Sequence, residues 1–266
     1  MGRVVAIANQ KGGVGKTTTA ISLSAALAIA ERPTLLIDLD AQCSATKGLG
    51  LKAGPAGDMY SALSGEVPLS EVLVPTELEY LSVAPASRDL VGIELELVSM
   101  EAREFRLKTA IESVRDKFDY ILIDCPPSLG LLTVNAMAAA DGLLIPVQCE
   151  YFALEGVSQM VETLQRIQAA INPALIIDGV LLTMFDARAN LSRQVVHELR
   201  EYFKDRVYKA VVPRNVRLGE APSFGRPIML YDIRSRGAEA YMNLAREVIR
   251  HYEKTSTRER TQQPHP

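Results

Sequence analysis

The stretch from Lys11 to Thr18 combines residue types that together bind a phosphate chain. Its sequence is Lys-Gly-Gly-Val-Gly-Lys-Thr-Thr, between an apolar run and an Ala/Leu-rich segment. Glycines let backbone N–H groups converge on an anion, and the start of a following helix adds partial positive charge. Lys16 is expected to reach the β- and γ-phosphates of a nucleotide, and the Thr17 hydroxyl to coordinate Mg²⁺. This strand-to-helix setting favours a phosphate site over a glycine-rich turn with a chance lysine.

The loop differs from the common pattern G-x-x-x-x-G-K-[ST] at its beginning. Gln10 stands where that pattern has its first glycine, and Lys11 adds a second cation. Lys16 already serves the phosphates bound by its own loop. Lys11 is therefore either a solvated charge or a group that acts on a nucleotide bound by a partner subunit.

Three aspartates follow apolar runs that have the form of buried strands. Asp38 and Asp40 come after Thr34–Ile37, and Asp124 ends Tyr120–Asp124. Ligands of open α/β sheets bind at the carboxyl ends of the strands. Asp38 and Asp40 alternate along an extended chain and so point to one side. One could hold Mg²⁺ through water and the other could orient an attacking water, or the pair could be solvated acids in a turn. Asp124 can reach the metal beside Thr17.

The elements that position these residues alternate between strands and helices. The predicted strands are Val4–Ala8, Thr34–Ile37, Leu78–Pro85, Tyr120–Asp124, Leu143–Val147, Ile176–Met184 and Tyr208–Val212. The predicted helices are Thr19–Ala30, Met59–Leu63, Leu69–Leu73, one or two within Asp89–Lys117, Leu154–Ile171, Leu191–Phe203, a short one through Glu220, and Gly237–Tyr252. This order predicts an α/β fold over residues 1–254: a single doubly wound domain with a mostly parallel sheet flanked by helices. Residues 255–266 are expected to form a polar, disordered tail.

Composition favours a globular protein of the cytoplasm. Of the 266 residues, 48% are hydrophobic and 23% are charged, which is ordinary for a chain with a sizeable core. We expect no membrane span, because no apolar run reaches about 18 residues. We also expect no signal peptide, since the chain enters its first strand at once. The cysteines Cys43, Cys125 and Cys149 lack a C-x-x-C spacing, so neither a disulfide framework nor a zinc site is indicated.

Charge is distributed unevenly along the chain. The net charge is −3, but residues 188–260 contain 16 Lys/Arg against 9 Asp/Glu. A basic half on a mildly acidic protein is typical of a localised anion-binding face. Scattered solvated charge explains the same counts equally well.

Several motifs resemble one family. The variant phosphate loop resembles the deviant Walker A signature of the ParA/MinD group of P-loop ATPases. The segments that resemble the short, chromosomal ParA/Soj partition ATPases cover nearly the whole chain: Lys11–Thr18, Leu36–Gln42, Ile123–Gly130, Val147–Gly156 and Pro213–Pro222. The resemblance implies a P-loop NTPase fold of the deviant Walker A type and ATP hydrolysis with Mg²⁺. The family pattern after the second aspartate is Pro-Gln-Gly-Asn, whereas this chain has Ala41-Gln42-Cys43-Ser44.

The resemblance also implies roles for individual residues. The catalytic residues would be Lys11, which crosses a dimer interface to the other subunit's ATP, Lys16, and Asp40, which activates water. ATP would be bound by Lys11, Gly12, Gly13, Val14, Gly15, Lys16, Thr17, Thr18, Pro213 and Asn215, the last two at the adenine. Asn215 could instead simply cap a helix. The metal residues would be Thr17, Asp38 and Asp124.

The partners implied by the resemblance are DNA, a second copy of the chain and a ParB-type protein. The ATP-bound homodimer would bind DNA without sequence specificity and so associate with the nucleoid, until the ParB-type protein stimulates hydrolysis. Arg188 and Arg217 match family positions implicated in DNA contact. Charge and proximity in the sequence add Arg226, Arg234 and Arg236, although for each arginine a surface salt bridge is about as probable.

Two rival functions predict features of their own. A MinD-type ATPase that binds a membrane needs an amphipathic C-terminal helix with bulky apolar residues on one face. Residues 253–263 have no such face, so we expect no membrane partner. A metabolic P-loop enzyme needs an additional substrate pocket, and the sequence does not identify one.

Overall fold

A single sheet of eight strands forms the centre of the protein. The structure is a computed structural model that describes residues 2–262, with side chains through Glu253. The strands are β1 (Arg3–Ile7), β2 (Thr34–Asp38), β3 (Val74–Pro75), β4 (Leu81–Ala84), β5 (Tyr120–Asp124), β6 (Gly142–Gln148), β7 (Ile176–Phe185) and β8 (Val207–Pro213). Their order across the sheet is β3-β4-β2-β5-β1-β6-β7-β8, and all described pairs are parallel except β3 with β4.

Helices follow most of the strands and cover the sheet. The helices are α1 (Lys16–Ile29), α2 (Ser44–Gly48), α3 (Met59–Ser64), α4 (Leu69–Val72), α5 (Leu90–Leu97), α6 (Arg106–Glu112), α7 (Leu131–Ala139), α8 (Ala153–Ala170), α9 (Asn190–Phe203), α10 (Val216–Glu220), α11 (Ile228–Tyr231) and α12 (Arg236–Gln262). Three short 3₁₀ turns lie at Arg115–Lys117, Lys204–Arg206 and Ala221–Phe224. Among residues 2–262 no helix is long and apolar enough to cross a membrane.

The central strands are apolar throughout because both faces of the sheet are buried. In β1, Val4 and Ala6 belong to one hydrophobic cluster, whereas Val5 and Ile7 belong to a second cluster on the other face. Parallel sheets that are covered by helices on both sides give such continuous apolar runs. The predicted α/β fold, a mostly parallel sheet flanked by helices, is confirmed.

The short elements α2, α11 and β3 were not predicted, and two larger features of the fold also differ from the sequence prediction. Helix α7 was not predicted, because its Ala-rich sequence follows a proline-fixed turn and shows little polar–apolar alternation. The predicted end of the last helix near Tyr252 is wrong, since α12 continues to Gln262. Its final turns lack Gly and Pro, so no strong helix breaker ends the helix near Tyr252. The helix includes residues 255–262 of the predicted disordered tail, and residues 263–266 lie outside the described part.

The sheet brings the predicted site residues to one edge. β5 lies between β1 and β2, and its last residue, Asp124, is in register with Ile7 of β1 and Asp38 of β2. The carboxyl ends of these three parallel strands therefore meet beside the loop that links β1 to α1.

Candidate active site

The loop between β1 and α1 has the backbone of a phosphate cradle. Gly15 precedes α1 with φ 93°, and Gly13 has φ 74°; both lie in the left-handed region that favours glycine. Cβ atoms added at Gly12 or Gly13 would meet open space. The loop thus presents its backbone, with the N-terminus of a long helix behind it, to an open volume that suits an anion.

Two polar side chains that the sequence analysis did not identify hold this loop in place. Asn9 donates from Nδ2 to the carbonyl of Pro146 at 2.8 Å and accepts from the Lys11 N–H at 3.0 Å. The Thr183 hydroxyl, on β7, donates to the Val14 carbonyl at 2.8 Å. Both Asn9 and Thr183 are buried. They attach the loop to β6 and β7, so the neighbouring strands help to fix its shape.

Replacing Thr183 with valine tests this support. The change keeps the shape of the side chain but leaves the buried Val14 carbonyl without its donor, which should destabilise the protein by about 1–2 kcal/mol. We expect ATP affinity to fall several-fold as well, because the loop loses a fixed point. Thermal unfolding and titration calorimetry with ATP measure the two effects. Thr183→Ser, which keeps the hydroxyl, serves as the control; equal ATP affinity of Thr183→Val and wild type would contradict this role.

Lys16 is the cation of the cradle. It is buried, and its Nζ donates to the Lys11 carbonyl at 3.1 Å. Burial lowers the pKa of Lys16, while the charges of Asp124, Cys125 and Asp40 act in the opposite direction. A phosphate in the cradle would stabilise the charged ammonium. The role of Lys16 at the phosphates stays a prediction.

Asp124 has an environment that fits a bound cation. It is completely buried, and neither carboxylate oxygen has a hydrogen-bond partner within residues 2–262. Burial and the charge of Asp38 raise its pKa well above the usual range. The hydroxyl of Thr17 lies close enough to oppose this shift, though without a hydrogen bond of normal geometry. A buried carboxylate of this kind fits Mg²⁺, which prefers oxygen ligands.

The protein supplies only part of the ligands for such a metal. In the described part of the chain no group of three or more His, Cys, Asp or Glu side chains could hold a metal ion by itself. Mg²⁺ bound in nucleotide sites commonly uses one or two protein ligands together with phosphate oxygens and water. The pair of Asp124 and Thr17 matches that pattern.

Asp38 is engaged in a hydrogen-bond network. One carboxylate oxygen accepts from the N–H and the hydroxyl of Thr46, at 2.8 and 2.7 Å, and the other accepts from the Asp40 N–H at 3.2 Å. Thr46 also accepts from the N–H of Ala86 at 2.9 Å. Burial raises the pKa of Asp38, and these hydrogen bonds oppose the shift. Asp38 thus joins β2 to α2 and to the loop before α5, and its role at the metal stays a prediction.

Asp40 is the most accessible of the three acids. It is half-buried, and its Oδ1 accepts from the Gln42 N–H at 2.9 Å. The next turn places Cys43 at φ 56°, a left-handed conformation that glycine adopts more readily. Cys43 occupies the position where the family pattern has glycine. The chain therefore keeps the backbone turn that a glycine would favour and holds it with a buried cysteine.

Lys11 lies beside exposed aromatic side chains. Its Nζ is 6.0 Å from the centroid of the Phe152 ring, at the limit of a cation–π contact. Phe152 and Tyr151 pack edge to face, and both are largely exposed. The Lys11 ammonium is thus associated with surface aromatics, whereas Lys16 is buried in the cradle.

The segment predicted to bind adenine begins at the end of β8. Pro213 is the last residue of the strand. Asn215 caps α10, where its side-chain oxygen accepts from the Arg217 N–H at 2.8 Å. The structure therefore contains the helix cap that the sequence offered as an alternative, and a contact of these residues with adenine stays a prediction.

The predicted DNA-binding arginines lie in two regions, and three of them form ion pairs. Arg188 pairs with Asp186 at 3.0 Å in the turn before α9, and its hydrogen bonds lower the pKa of Asp186 to about 2. The other four arginines lie between α10 and the start of α12. Arg217 pairs with Glu220 at 2.8 Å and with Asp232 at 3.6 Å, and Arg226 pairs with Glu77 at 3.6 Å. Arg234 and Arg236 are exposed and form no ion pair with the described side chains.

A parallel sheet with a phosphate loop after β1, a lysine inside it and a buried carboxylate at the end of β5 defines a P-loop nucleoside triphosphatase. A family model described as an AAA domain matches residues 2–177. The chain is 56% identical over 261 residues to the chromosome partitioning protein ParA of Myxococcus xanthus, covering 98% of this chain and 92% of that protein. It is 55% identical over 249 residues to the sporulation initiation inhibitor protein Soj of Bacillus subtilis, covering 93% and 98%. The chain belongs to the ParA/Soj family, and the prediction of an ATPase of this family is confirmed.

A solved structure agrees with this architecture. Cobyrinic acid a,c-diamide synthase from Mycobacterium smegmatis, with bound ADP and magnesium, superimposes with a TM-score of 0.83. Its sequence is 38% identical, and the match covers 95% of this chain and 96% of that chain.

Proposed function

We propose that this protein is a DNA segregation ATPase whose ATP-bound dimer binds DNA without sequence specificity. A ParB-type partner then stimulates hydrolysis and releases the dimer. The observation that carries the proposal is the division between two lysines: Lys16 is buried in its own cradle, while Lys11 lies at the exposed Phe152. A second cation at the surface of a phosphate loop is available to the nucleotide of a facing subunit.

ATP and Mg²⁺ are the cofactors of this ATPase. Asp124 and the Thr17 hydroxyl are the groups that would hold the metal, because the buried carboxylate has two unpartnered oxygens in the described structure. Mg²⁺ bound there would neutralise charge on the phosphates. Lys16 neutralises the same phosphates from the side of the loop.

Asp40 is the residue that we assign to the attacking water. The Asp38 carboxylate accepts hydrogen bonds from Thr46 and from the loop backbone, and Asp124 is completely buried. Asp40 is half-buried, and one of its carboxylate oxygens accepts a hydrogen bond from the Gln42 N–H. Its carboxylate can therefore orient a water and accept its proton as the γ-phosphate bond breaks.

The surface around Lys11 suits a dimer that closes over the nucleotide. Two γ-phosphates buried between subunits need cations, and Lys11 and Lys16 supply them. Tyr151 and Phe152 add exposed apolar area beside Lys11. Aromatic anchors with a neighbouring cation are typical of the energetic centre of an interface.

The basic C-terminal half would bind the DNA backbone. A dimer carries two copies of this surface, so effective concentration and counterion release raise affinity without base contacts. Such a protein would be cytoplasmic and associated with the nucleoid when ATP is bound.

A metabolic function has weaker support. The solved synthase is 38% identical to this chain, whereas the partitioning relatives exceed 50% over nearly the full length. The partition ATPase is therefore the function that we propose.

The test is binding to random-sequence duplex DNA with ADP and with ATP, using Asp40→Ala to prevent turnover. We expect binding with ATP alone, falling steeply as salt rises, since phosphate contacts release counterions. Equal DNA binding with ADP and with ATP would show that the nucleotide does not control DNA binding. If the protein binds DNA in neither nucleotide state, DNA binding is not part of its function and only the ATPase assignment remains.

Replacing both Arg234 and Arg236 by alanine should weaken this DNA binding about tenfold or more and reduce its salt dependence. These arginines are exposed and free of ion pairs within the described residues, so their removal leaves few internal contacts broken. The matched control is Arg200→Ala with Arg250→Ala, two basic residues of the same half that line a different groove of about 700 Å³. Fluorescence anisotropy measures both. A larger loss of DNA affinity in the control variant would indicate that DNA binds at that groove instead.

A further inference from the structure

Helix α5 is apolar on two sides, and only one of them is buried. Leu90, Ile93 and Leu97 are completely buried against the core. Val91, Leu95 and Val98 are 65%, 77% and 57% exposed. Their spacing places them on one face of the helix. We call this face the α5 stripe; a contiguous exposed apolar patch on a surface helix often marks an interaction site.

The segment that carries the α5 stripe is acidic, and we call its charged residues the acidic border. Residues 88–104 contain five acidic residues and two basic ones. One of the two basic residues, Arg103, is paired with Glu104 at 2.9 Å. An apolar stripe with an acidic border complements a segment that is apolar on one side and basic on the other. The same border disfavours an anionic membrane surface.

The α5 stripe is joined to the segment that follows Asp124. Glu94 lies on the same face, and its carboxylate accepts from the Leu132 N–H at 3.4 Å, at the start of α7. A Cβ on Gly130 would lie 2.2 Å from that carboxylate, so the contact is close. Leu129, just before it, is partly exposed. A displacement of α5 is therefore transmitted to the residues that connect Asp124 with α7.

A second connection reaches the aspartates of β2. The loop before α5 donates from the Ala86 N–H to the Thr46 hydroxyl, which in turn donates to Asp38. The backbone N–H of Asp40 donates to the other oxygen of Asp38. Helix α5, through Glu94, and the loop before it, through Ala86, thus contact the segments next to the strand-end carboxylates.

We propose that the α5 stripe is the docking surface for a basic amphipathic segment of the ParB-type partner. This inference rests on the proposed function. A partner bound there lies beside Glu94 and the loop of Ala86, whose hydrogen bonds reach the segments that carry Asp124, Asp38 and Asp40. Binding of the partner to α5 would then itself stimulate ATP hydrolysis.

The test uses Leu95→Gln combined with Val98→Gln and the full-length ParB-type protein of the same genome as probe. Both side chains point to solvent, so the fold is expected to persist. The partner concentration for half-maximal stimulation of ATP turnover should rise about tenfold or more. Basal turnover and ATP-dependent DNA binding should equal wild type. The control is Tyr202→Gln on α9, which is 67% exposed and packs at the opposite end of the sheet.

A charge variant tests the acidic border. Glu101→Lys should weaken stimulation more at low salt than at high salt, since screening reduces its contribution. Unchanged stimulation of both α5 variants would overturn the inference. Loss of the ATP-dependent dimer in sedimentation would also overturn it, because a second copy would then cover the stripe. So would stripe-dependent binding to anionic vesicles. If the partner fails to stimulate even the wild-type protein, the proposed partner step fails and this inference with it.

Discussion

Replacing Asp40 by alanine is expected to lower the rate of ATP hydrolysis about a hundredfold or more and to leave ATP binding intact. The phosphate loop, Lys16 and Asp124 remain in place, so the nucleotide keeps its main contacts. What is removed is the accessible carboxylate that orients the attacking water. The protein should then accumulate as an ATP-bound dimer. Phosphate release and sedimentation in the presence of ATP measure the two effects.

Asp40→Asn is the matched control for the geometry of the loop. Its amide oxygen can still accept from the Gln42 N–H, which Asp40 does at 2.9 Å. Asparagine therefore preserves the turn while it removes the base. If the carboxylate acts on water, alanine and asparagine lower turnover equally. Recovery of turnover with asparagine would assign Asp40 to loop structure, and wild-type turnover in both variants would exclude it from the reaction.

The local motifs of the sequence predicted the centre of the site. Lys16 and Thr17 follow the glycines directly, and Asp124 ends an apolar strand, so chain continuity alone fixes most of their geometry. The parallel sheet then brings Asp124 into register with Asp38. Apolar runs and strand ends were sufficient to predict that meeting.

The supports of the site were missed because they act over long separations. Thr183 lies 169 residues from Val14, whose carbonyl it holds, and a single threonine inside a strand has no distinguishing pattern. Thr46 lies 8 residues from Asp38 and 40 from Ala86, and its threonine likewise has no distinguishing pattern in the sequence. Only the folded chain shows that these hydroxyls meet backbone groups.

The surface helices were the least predictable elements. For α5 the sequence predicted only one or two helices within Asp89–Lys117, because the helical spacing of Leu90, Ile93 and Leu97 indicates a helix but does not show that a second apolar face is exposed. At α12, polar composition indicated disorder from residue 255, yet a helix can continue through polar residues where Gly and Pro are absent. Pairing of arginines with nearby acids, as in Arg188 with Asp186, was left open by charge counts.

Replacing Lys11 by alanine is expected to abolish ATP-dependent dimerisation while a single chain still binds ATP. Removing a cation from a buried charge pair weakens association by about 2–5 kcal/mol. Lys16 keeps its position, because its Nζ donates to the backbone carbonyl of residue 11, which alanine retains. Lys52→Ala, at an exposed lysine outside the site, is the control. Sedimentation with ATP measures the dimer, and a wild-type dimer in Lys11→Ala would exclude the role.

Mixing two inactive variants tests whether Lys11 acts on the opposite subunit. Lys11→Ala binds ATP but lacks the crossing lysine, whereas Lys16→Ala keeps Lys11 but loses its own phosphate contact. In a mixed dimer, Lys11 of the second chain faces the ATP of the first, and one complete site is restored. We therefore expect the mixture to hydrolyse ATP although each variant alone does not. Turnover by Lys11→Ala alone at the wild-type rate would show that Lys11 is a solvated charge, which is the alternative that its sequence position left open.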